Sequence, residues 1–208
     1  MIGTLAEFSA YLADAQARRV EAIRCEFSPS LSARMNDAAL TEALICGLPM
    51  ARGISRRILR SRGQGVILTA KLRYRDGVRM LSDEPLNTDE TAALDMARCI
   101  TADFLPLDEA GRFRQIYGWI CRNIRYVHTA PGQKGYEQLV SAKGALLNGH
   151  ANCQGFADVL YLLCRLCGIE CEYRIGKGEK RLHMWNAVQI NGTWQEVDVS
   201  KGARLPTV

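Results

Sequence analysis

The chain has 208 residues, of which 48% are hydrophobic and 24% are charged. These values are typical of a globular protein and exclude the disordered and low-complexity classes. A chain of this length can bury a sizeable core without disulfides, and no stretch approaches the roughly 20 apolar residues that a membrane-spanning helix requires. The composition therefore predicts one compact domain, or a small domain followed by a second, and no membrane partner.

The charge of the chain favours no particular macromolecular partner. The net charge is +5, and basic residues cluster at residues 51–65. No nucleic-acid recognition module accompanies this cluster, so a solvated basic edge is favoured and no nucleic acid is expected. Because Glu7 and Asp14 interrupt the N-terminal segment, it does not have the pattern of a secretory signal. The sequence as written predicts a cytoplasmic protein, with a trimmed form of an exported protein as the alternative; it predicts no oligomeric state.

The first third of the chain mixes predicted helices and strands. Thr4 and Glu7 fit a capping box at the start of a helix over residues 5–17. The further elements predicted here are a strand over 20–27, a helix over 36–46, and strands near 54–61 and 65–75. The Asp76-Gly77 dipeptide that follows is typical of a turn between hairpin strands.

A polar stretch at residues 82–90 is the best candidate for a domain boundary, because it combines a proline with several helix-capping residues. It separates a small α/β region over residues 1–82 from a second domain over residues 87–208. The second domain begins with two predicted helices, at about 88–102 and 107–125, and the second of these has apolar residues at helical spacing.

Four of the eight cysteines cluster in the stretch NCQGFADVLYLLCRLCGIEC. This stretch has the pattern of one helix, which Asn152 can cap and Gly168 can end. The helix is apolar nearly all round, which predicts that it is buried. No second ligand pair with zinc spacing follows, so a metal site is not expected and three of the cysteines are predicted to be core residues: Cys164, Cys167 and Cys171.

Cys153 differs from these three because it falls in the first turn of the predicted helix. Free backbone N–H groups and the positive end of the helix dipole meet there, and both favour the thiolate over the thiol. A small residue packed at a helix start is the alternative interpretation.

The later segment HMWNAVQINGTWQEVDVS contains Asn191-Gly192, the strongest short-range signal for a two-residue hairpin turn. The turn predicts strands over residues 183–190 and 193–199. In the resulting register His183 and Asp198 are diagonal neighbours roughly 7–8 Å apart at the backbone, close enough for their side chains to hydrogen-bond. The side chains predicted to share this face of the hairpin are those of His183, Trp185, Glu196 and Asp198.

Cys153, His183 and Asp198 together supply a nucleophile, a base and an acid that orients the base. Glu196 lies farther along the strand from His183, so Asp198 is the preferred acid. This combination is typical of enzymes that form a covalent acyl intermediate on a cysteine.

The motifs around Cys153, His183 and Asp198 resemble those of the transglutaminase-like superfamily of papain-type cysteine enzymes, in particular its bacterial members. The resemblance covers about residues 87–200. It implies an α+β fold in which a buried helix with the nucleophile packs on an antiparallel sheet. It also implies that Cys153 is the nucleophile, His183 the base and Asp198 the acid.

The function that this resemblance implies is a cysteine peptidase or amidase acting on a peptide or protein amide, without a cofactor or metal. Acyl transfer to an amine, as in a transglutaminase, is the second possibility, because the fold does not select the acceptor. A binding domain that has lost catalysis is the third, and the intact set of three residues argues against it.

The oxyanion of the tetrahedral intermediate is expected to bind the backbone N–H of Cys153 and a second donor. Similar sequences usually have an aromatic residue at the position of Lys143, where this chain has a lysine instead. The candidate oxyanion or substrate-binding residues are Tyr136, Gln138, Lys143 and Trp185.

Overall fold

The computed structural model describes residues 1–61, 65–178 and 182–202. The chain divides into two compact units, Met1–Tyr74 and Arg75–Val208. This division falls earlier than the polar stretch at 82–90, because the residues that follow Tyr74 pack within the second unit. The functional division into two domains stays a prediction.

The first unit is a small α/β structure. Its elements are α1 Leu5–Ala17, β1 Ala22–Phe27, α2 Pro29–Arg34, α3 Asp37–Gly47, β2 Ala51–Ser61 and β3 Gly65–Tyr74. The strands form an antiparallel sheet in the order β1-β3-β2. Buried and exposed residues alternate along β1, and Phe27 meets Phe8 of α1 edge to face at 4.9 Å between ring centroids. Part of the basic cluster at 51–65, residues 62–64, lies outside the described residues.

The second unit is larger and contains both the long helices and the predicted hairpin. Its elements are α4 Asp76–Arg79, α5 Thr88–Ala102, α6 Glu109–Asn123, β4 Arg125–Tyr126, α7 Tyr136–Leu139, α8 Ala142–Asn148, β5 His150–Ala151, α9 Cys153–Leu166, β6 Cys171–Lys177, β7 Leu182–Ile190, β8 Thr193–Val197 and α10 Val199–Gly202. Strands β6, β7 and β8 form an antiparallel sheet in that order, and β4 pairs with β5 in parallel.

Helix α9 is the buried helix that the sequence predicts. The Asn152 side chain caps it by accepting hydrogen bonds from the backbone N–H groups of Gln154 and Gly155, and Gly168 follows its end with a φ of +69°. Asn186 of β7 donates from Nδ2 to the Ala157 carbonyl at 3.1 Å, which attaches the helix to the sheet. The α+β fold with a helix packed on an antiparallel sheet is therefore confirmed. None of the described helices is long and apolar enough to cross a membrane.

A carboxylate inside the second unit joins three elements to α9. Asp158 is fully buried; its Oδ1 accepts from the Tyr173 hydroxyl at 2.6 Å and from the Gly77 backbone N–H at 3.1 Å. Its Oδ2 accepts from the Ala142 N–H at 2.7 Å. Because both oxygens accept, the carboxylate holds β6, α4 and α8 against the helix.

The same carboxylate explains why the predicted hairpin turn at Asp76-Gly77 is wrong. Both residues lie in α4, where the Gly77 N–H donates to Asp158. A Cβ at position 77 would lie 2.8 Å from Asp158 Oδ1, so glycine serves here to permit a close approach and does not form a turn between strands. A contact distant in sequence has decided the local conformation.

Candidate active site

Cys153 is the first residue of α9, beside the hydrogen bonds that cap the helix. The Asn152 Oδ1 accepts from the Gln154 N–H at 2.9 Å. The backbone N–H of Cys153 has no hydrogen-bond partner among the described residues, as is usual in a first helical turn. A ligand oxygen close to the Cys153 sulfur can therefore use this donor.

The thiol of Cys153 hydrogen-bonds to the side chain of His183. Burial raises the pKa of the thiol, but hydrogen bonds from the His183 ring and from the backbone N–H groups of Met184 and Gln154 outweigh burial and hold the pKa below its ordinary value. The site thus favours the thiolate more than an unperturbed cysteine does, and the thiolate is the form of cysteine that acts as a nucleophile.

His183 lies between the thiol and a carboxylate. Its Nε2 is 2.8 Å from Asp198 Oδ2, which leaves Nδ1 for the thiol. The hydrogen bond to Asp198, followed by that to Cys153, raises the pKa of His183 to about 9. Burial acts to raise the pKa of Asp198, but hydrogen bonds from His183 and Ser200 lower it to about 2. A protonated imidazole between two anions is the charge state that these shifts favour.

The predicted hairpin register is present between Ile190↔Thr193 and Asn186↔Val197. The second strand is shorter than the predicted 193–199, because the Lys201 N–H donates to the Asp198 carbonyl and begins the helical turn α10. Asp198 therefore lies just beyond the last strand pair and reaches His183 from the start of that turn.

The early end of β8 leaves a backbone donor on β7 for the thiol. The Gln189 N–H donates to Glu170, on the β6 side of β7. Backbone N–H groups alternate between the two edges of a strand, so the Met184 N–H points to the other edge. There β8 has already ended at Val197, and the hydrogen bond goes to Cys153 instead.

Trp185 and Glu196 interact with each other on the face that they share with His183. The Trp185 ring stacks on the His183 ring at 6.0 Å between centroids, and its Nε1 donates to Glu196. Arg174 also lies 3.6 Å from Glu196. The Glu196 carboxylate therefore interacts with Trp185 and Arg174 and not with His183.

The other candidate residues lie at different places around α9. Tyr136 begins α7, and its hydroxyl accepts from Gln154 Nε2 at 3.0 Å, which places it beside the residue that follows Cys153. Gln138 is exposed, and Lys143 is half-buried in α8. Neither is among the groups with the largest effects on the Cys153 pKa.

Two residues that contact the site were not singled out from the sequence. Gln154 accepts from Arg75 at 3.4 Å while it donates to Tyr136. Ser200 donates to Asp198 Oδ1 at 2.6 Å. The signal for Ser200 was its place two residues after an aspartate, a spacing at which serine and aspartate side chains make local hydrogen bonds. Within the described residues, no group of three or more His, Cys, Asp or Glu side chains could hold a metal ion.

Residues 97–199, which include Cys153, His183 and Asp198, match the model of the transglutaminase-like superfamily. This part of the chain is therefore a domain of the transglutaminase-like superfamily. Over 107 residues it is 34% identical to the kyphoscoliosis peptidase of Homo sapiens, and over the same length 33% identical to that of Mus musculus.

The matched region covers 45% of this chain and 16% of each of these curated relatives, so the chain spans a small part of their length. A solved structure described as a TGase aligns with 89% of this chain and 51% of its own chain, at 13% identity and a TM-score of 0.46.

Proposed function

We propose that this protein is a cysteine-dependent amide hydrolase, a peptidase or amidase, with Cys153 as nucleophile, His183 as base and acid, and Asp198 as the group that orients His183. The observation that carries this proposal is the place of His183, which interacts with the Cys153 thiol and hydrogen-bonds through Nε2 to Asp198 Oδ2 at 2.8 Å. Superfamily membership supports the same assignment.

In the first half of the proposed reaction, the Cys153 thiolate attacks the carbonyl carbon of the amide. The carbonyl π electrons move to oxygen, and the backbone N–H of Cys153 donates to the resulting oxyanion. As the tetrahedral intermediate collapses, the C–N bond breaks and the imidazolium of His183 gives its Nδ1 proton to the departing amine. The product bound to the enzyme is a thioester on Cys153.

In the second half, water attacks the thioester carbonyl while neutral His183 accepts its proton. The C–S bond breaks, the carboxylic acid leaves and the thiolate–imidazolium pair is restored. Asp198 stays ionised throughout, holding the ring and stabilising its positive charge without attacking the substrate.

A peptide or protein amide is the proposed substrate class. Cys153 and His183 are only partly buried, and the His183 side chain is 23% exposed, so the site is open to solvent at least at the imidazole. The curated relatives, which share about a third of the aligned residues, are named peptidases, which supports the same class.

The proposal is tested with a peptide mixture incubated with the wild type and with Cys153→Ala, each with and without a primary amine, and analysed by mass spectrometry. We expect hydrolysed peptides that depend on Cys153 and persist when amine is added. Products that carry the amine in place of the hydrolysed acid would identify acyl transfer instead. If no product depends on Cys153, the protein is not a cysteine acyl enzyme.

Thiol mapping with iodoacetamide is a second test that needs no substrate. Cys153 is expected to be the first thiol alkylated near neutral pH, although Cys46 and Cys99 are more exposed. Faster labelling of the buried Cys164 or Cys167 would contradict the assignment.

A further inference from the structure

The turn that follows Asp198 contains a buried hydroxyl directed at the carboxylate. Ser200 is 1% exposed, and its Oγ lies 2.6 Å from Asp198 Oδ1. The other carboxylate oxygen, Oδ2, lies 2.8 Å from His183 Nε2. An ionised carboxylate can only accept, so the serine hydroxyl is the donor in this contact.

This contact determines where the second oxygen of Asp198 lies. The terminal torsion of an aspartate is broad, so its carboxylate plane rotates easily unless both oxygens are held. The Lys201 side chain is 77% exposed, and its Nζ lies 3.5 Å from the same Oδ2 and offers that oxygen a partner nearer to solvent. Because the Ser200 hydroxyl holds Oδ1 of Asp198, the other oxygen, Oδ2, stays hydrogen-bonded to the His183 imidazole.

The turn itself is packed closely against helix α6. A Cβ at Gly202 would lie 2.3 Å from the Tyr117 hydroxyl and 3.0 Å from the Cys121 sulfur. This close packing holds the backbone that carries Ser200. The groups that face the Asp198 carboxylate are then His183 from β7, Ser200 and Lys201 from α10 and Tyr117 from α6, with Cys153 of α9 beyond His183.

We propose that Ser200 is a positioning residue, which holds the Asp198 carboxylate in the orientation that keeps the His183 imidazole charged and aligned with Cys153. This inference rests on the proposed function. Ser200 acts only through Asp198 and touches neither the thiol nor the substrate.

The test measures the alkylation of Cys153 by iodoacetamide as a function of pH, followed by site-specific mass spectrometry on the folded protein. In Ser200→Ala the positive charge of the His183 imidazole is less stabilised, so the Cys153 thiolate forms at a higher pH. A hydrogen bond to a charged group is stronger than a neutral one, and we expect an upward shift of about one pH unit in the midpoint. Ser200→Thr, which keeps the hydroxyl, should restore the wild-type midpoint.

Lys201→Gln is the matched control in the same turn. The exposed Lys201 charge lies near Asp198 Oδ2, not the Oδ1 that Ser200 bonds, and exposed ion pairs contribute little, so the midpoint of this variant should stay at the wild-type value. Should Ser200→Ala fail to fold, Ser200→Cys carries the same test, because it keeps the side-chain size with a much weaker donor.

A wild-type midpoint in Ser200→Ala, even with a lower melting temperature, would overturn the proposal, since Ser200 would then be structural only. Failure of the proposed function looks different. In that case the wild type itself shows no preferential alkylation of Cys153.

Discussion

The two units of the chain build their interiors from different kinds of side chain. In Met1–Tyr74, the buried side chains among those described are hydrophobic. In the second unit the interior also contains polar and charged side chains: Arg75, Asp76, Glu90, Thr101, Ser141, Asn152, Asp158, Asn186 and Ser200. Because burial of a polar group is costly unless it is hydrogen-bonded, a buried polar side chain needs a partner, and that partner fixes where the side chain lies.

Four of these polar groups hold the start of α9 and the elements around it in place. Asn152 caps the helix at Cys153, and Asn186 attaches the helix to the strand that carries His183. Ser200 bonds Asp198, while Asp158 holds α4 and α8 to the helix. Apolar packing tolerates small shifts of side chains, whereas hydrogen bonds fix direction and distance. These four buried polar groups therefore lie where an alignment must be kept.

The largest expected effect is on catalysis in the second unit. Cys153→Ala should lower the turnover of the peptide substrate found in the screen by roughly 10⁶-fold, since no other group can form the acyl bond. The matched control is Cys99→Ala, an exposed thiol on α5, which should keep wild-type turnover. Full activity of Cys153→Ala would contradict the inference that the buried polar groups keep a catalytic cysteine aligned.

The second effect separates the two carboxylates that share the hairpin face. Asp198→Ala should lower turnover by roughly 10⁴-fold, because the imidazole loses both its orientation and the partner for its charge. Cys153 should remain alkylatable, though more slowly. Glu196→Ala is the control, since that carboxylate bonds to Trp185 and Arg174. Equal losses in two folded variants would show that the acid is misassigned.

Combining Asp198→Ala with Cys153→Ala should lower turnover no further than Cys153→Ala alone. The two residues act in one catalytic unit, so their effects on the activation free energy are not additive.

The features that the sequence predicted well depend on local rules. Asn191-Gly192 has φ values of +50° and +78°, as a two-residue hairpin turn requires, and this turn sets the register that brings His183 near Asp198. The cap at Asn152 and the apolar pattern likewise place Cys153 at the start of a buried helix. Each rule operates within a few residues of the position that it explains.

The features that the sequence did not predict depend on contacts between distant residues. Asp76-Gly77 forms α4 because Asp158, far along the chain, accepts from Gly77. Strand β8 ends at Val197 and Ser200 turns back to Asp198, in a turn that packs on α6 through Gly202. Turn propensities do not contain these partners, so no local pattern could supply them.

The third effect is on stability: a substitution that conserves shape should lower the free energy of unfolding more in the second interior than in the first. Asp158→Asn should lower the free energy of unfolding by roughly 2–3 kcal/mol, because its amide NH₂ would face N–H or O–H groups that also donate. Leu68→Met, at a fully buried position of the first unit, should cost less than about 1.5 kcal/mol. Urea denaturation followed by circular dichroism measures both; equal costs would contradict the difference between the units.

The smallest effect is the pH dependence of stability that the ion pair contributes. The pKa of His183 is raised from 6.5 to about 9, so its contribution is fully present below pH 6.5 and is lost as the pH rises through 9. The pKa of Asp198 is lowered from 3.8 to about 2, so its contribution is present above pH 3.8 and is lost as the pH falls through 2.

Between these windows, from about pH 4 to 6.5, the pair should stabilise the fold at a constant level. In a Cys153→Ala background, which removes the opposing contribution of the thiol, the free energy of unfolding, measured relative to the same protein with His183→Gln, should therefore decline over the range from pH 6.5 to 9. Glu196→Ala should keep that decline, because its carboxylate does not contact His183. A difference that stays flat or grows over this range would mean that His183 is not held in its charged form, and the ion pair with Cys153 would then lack its basis.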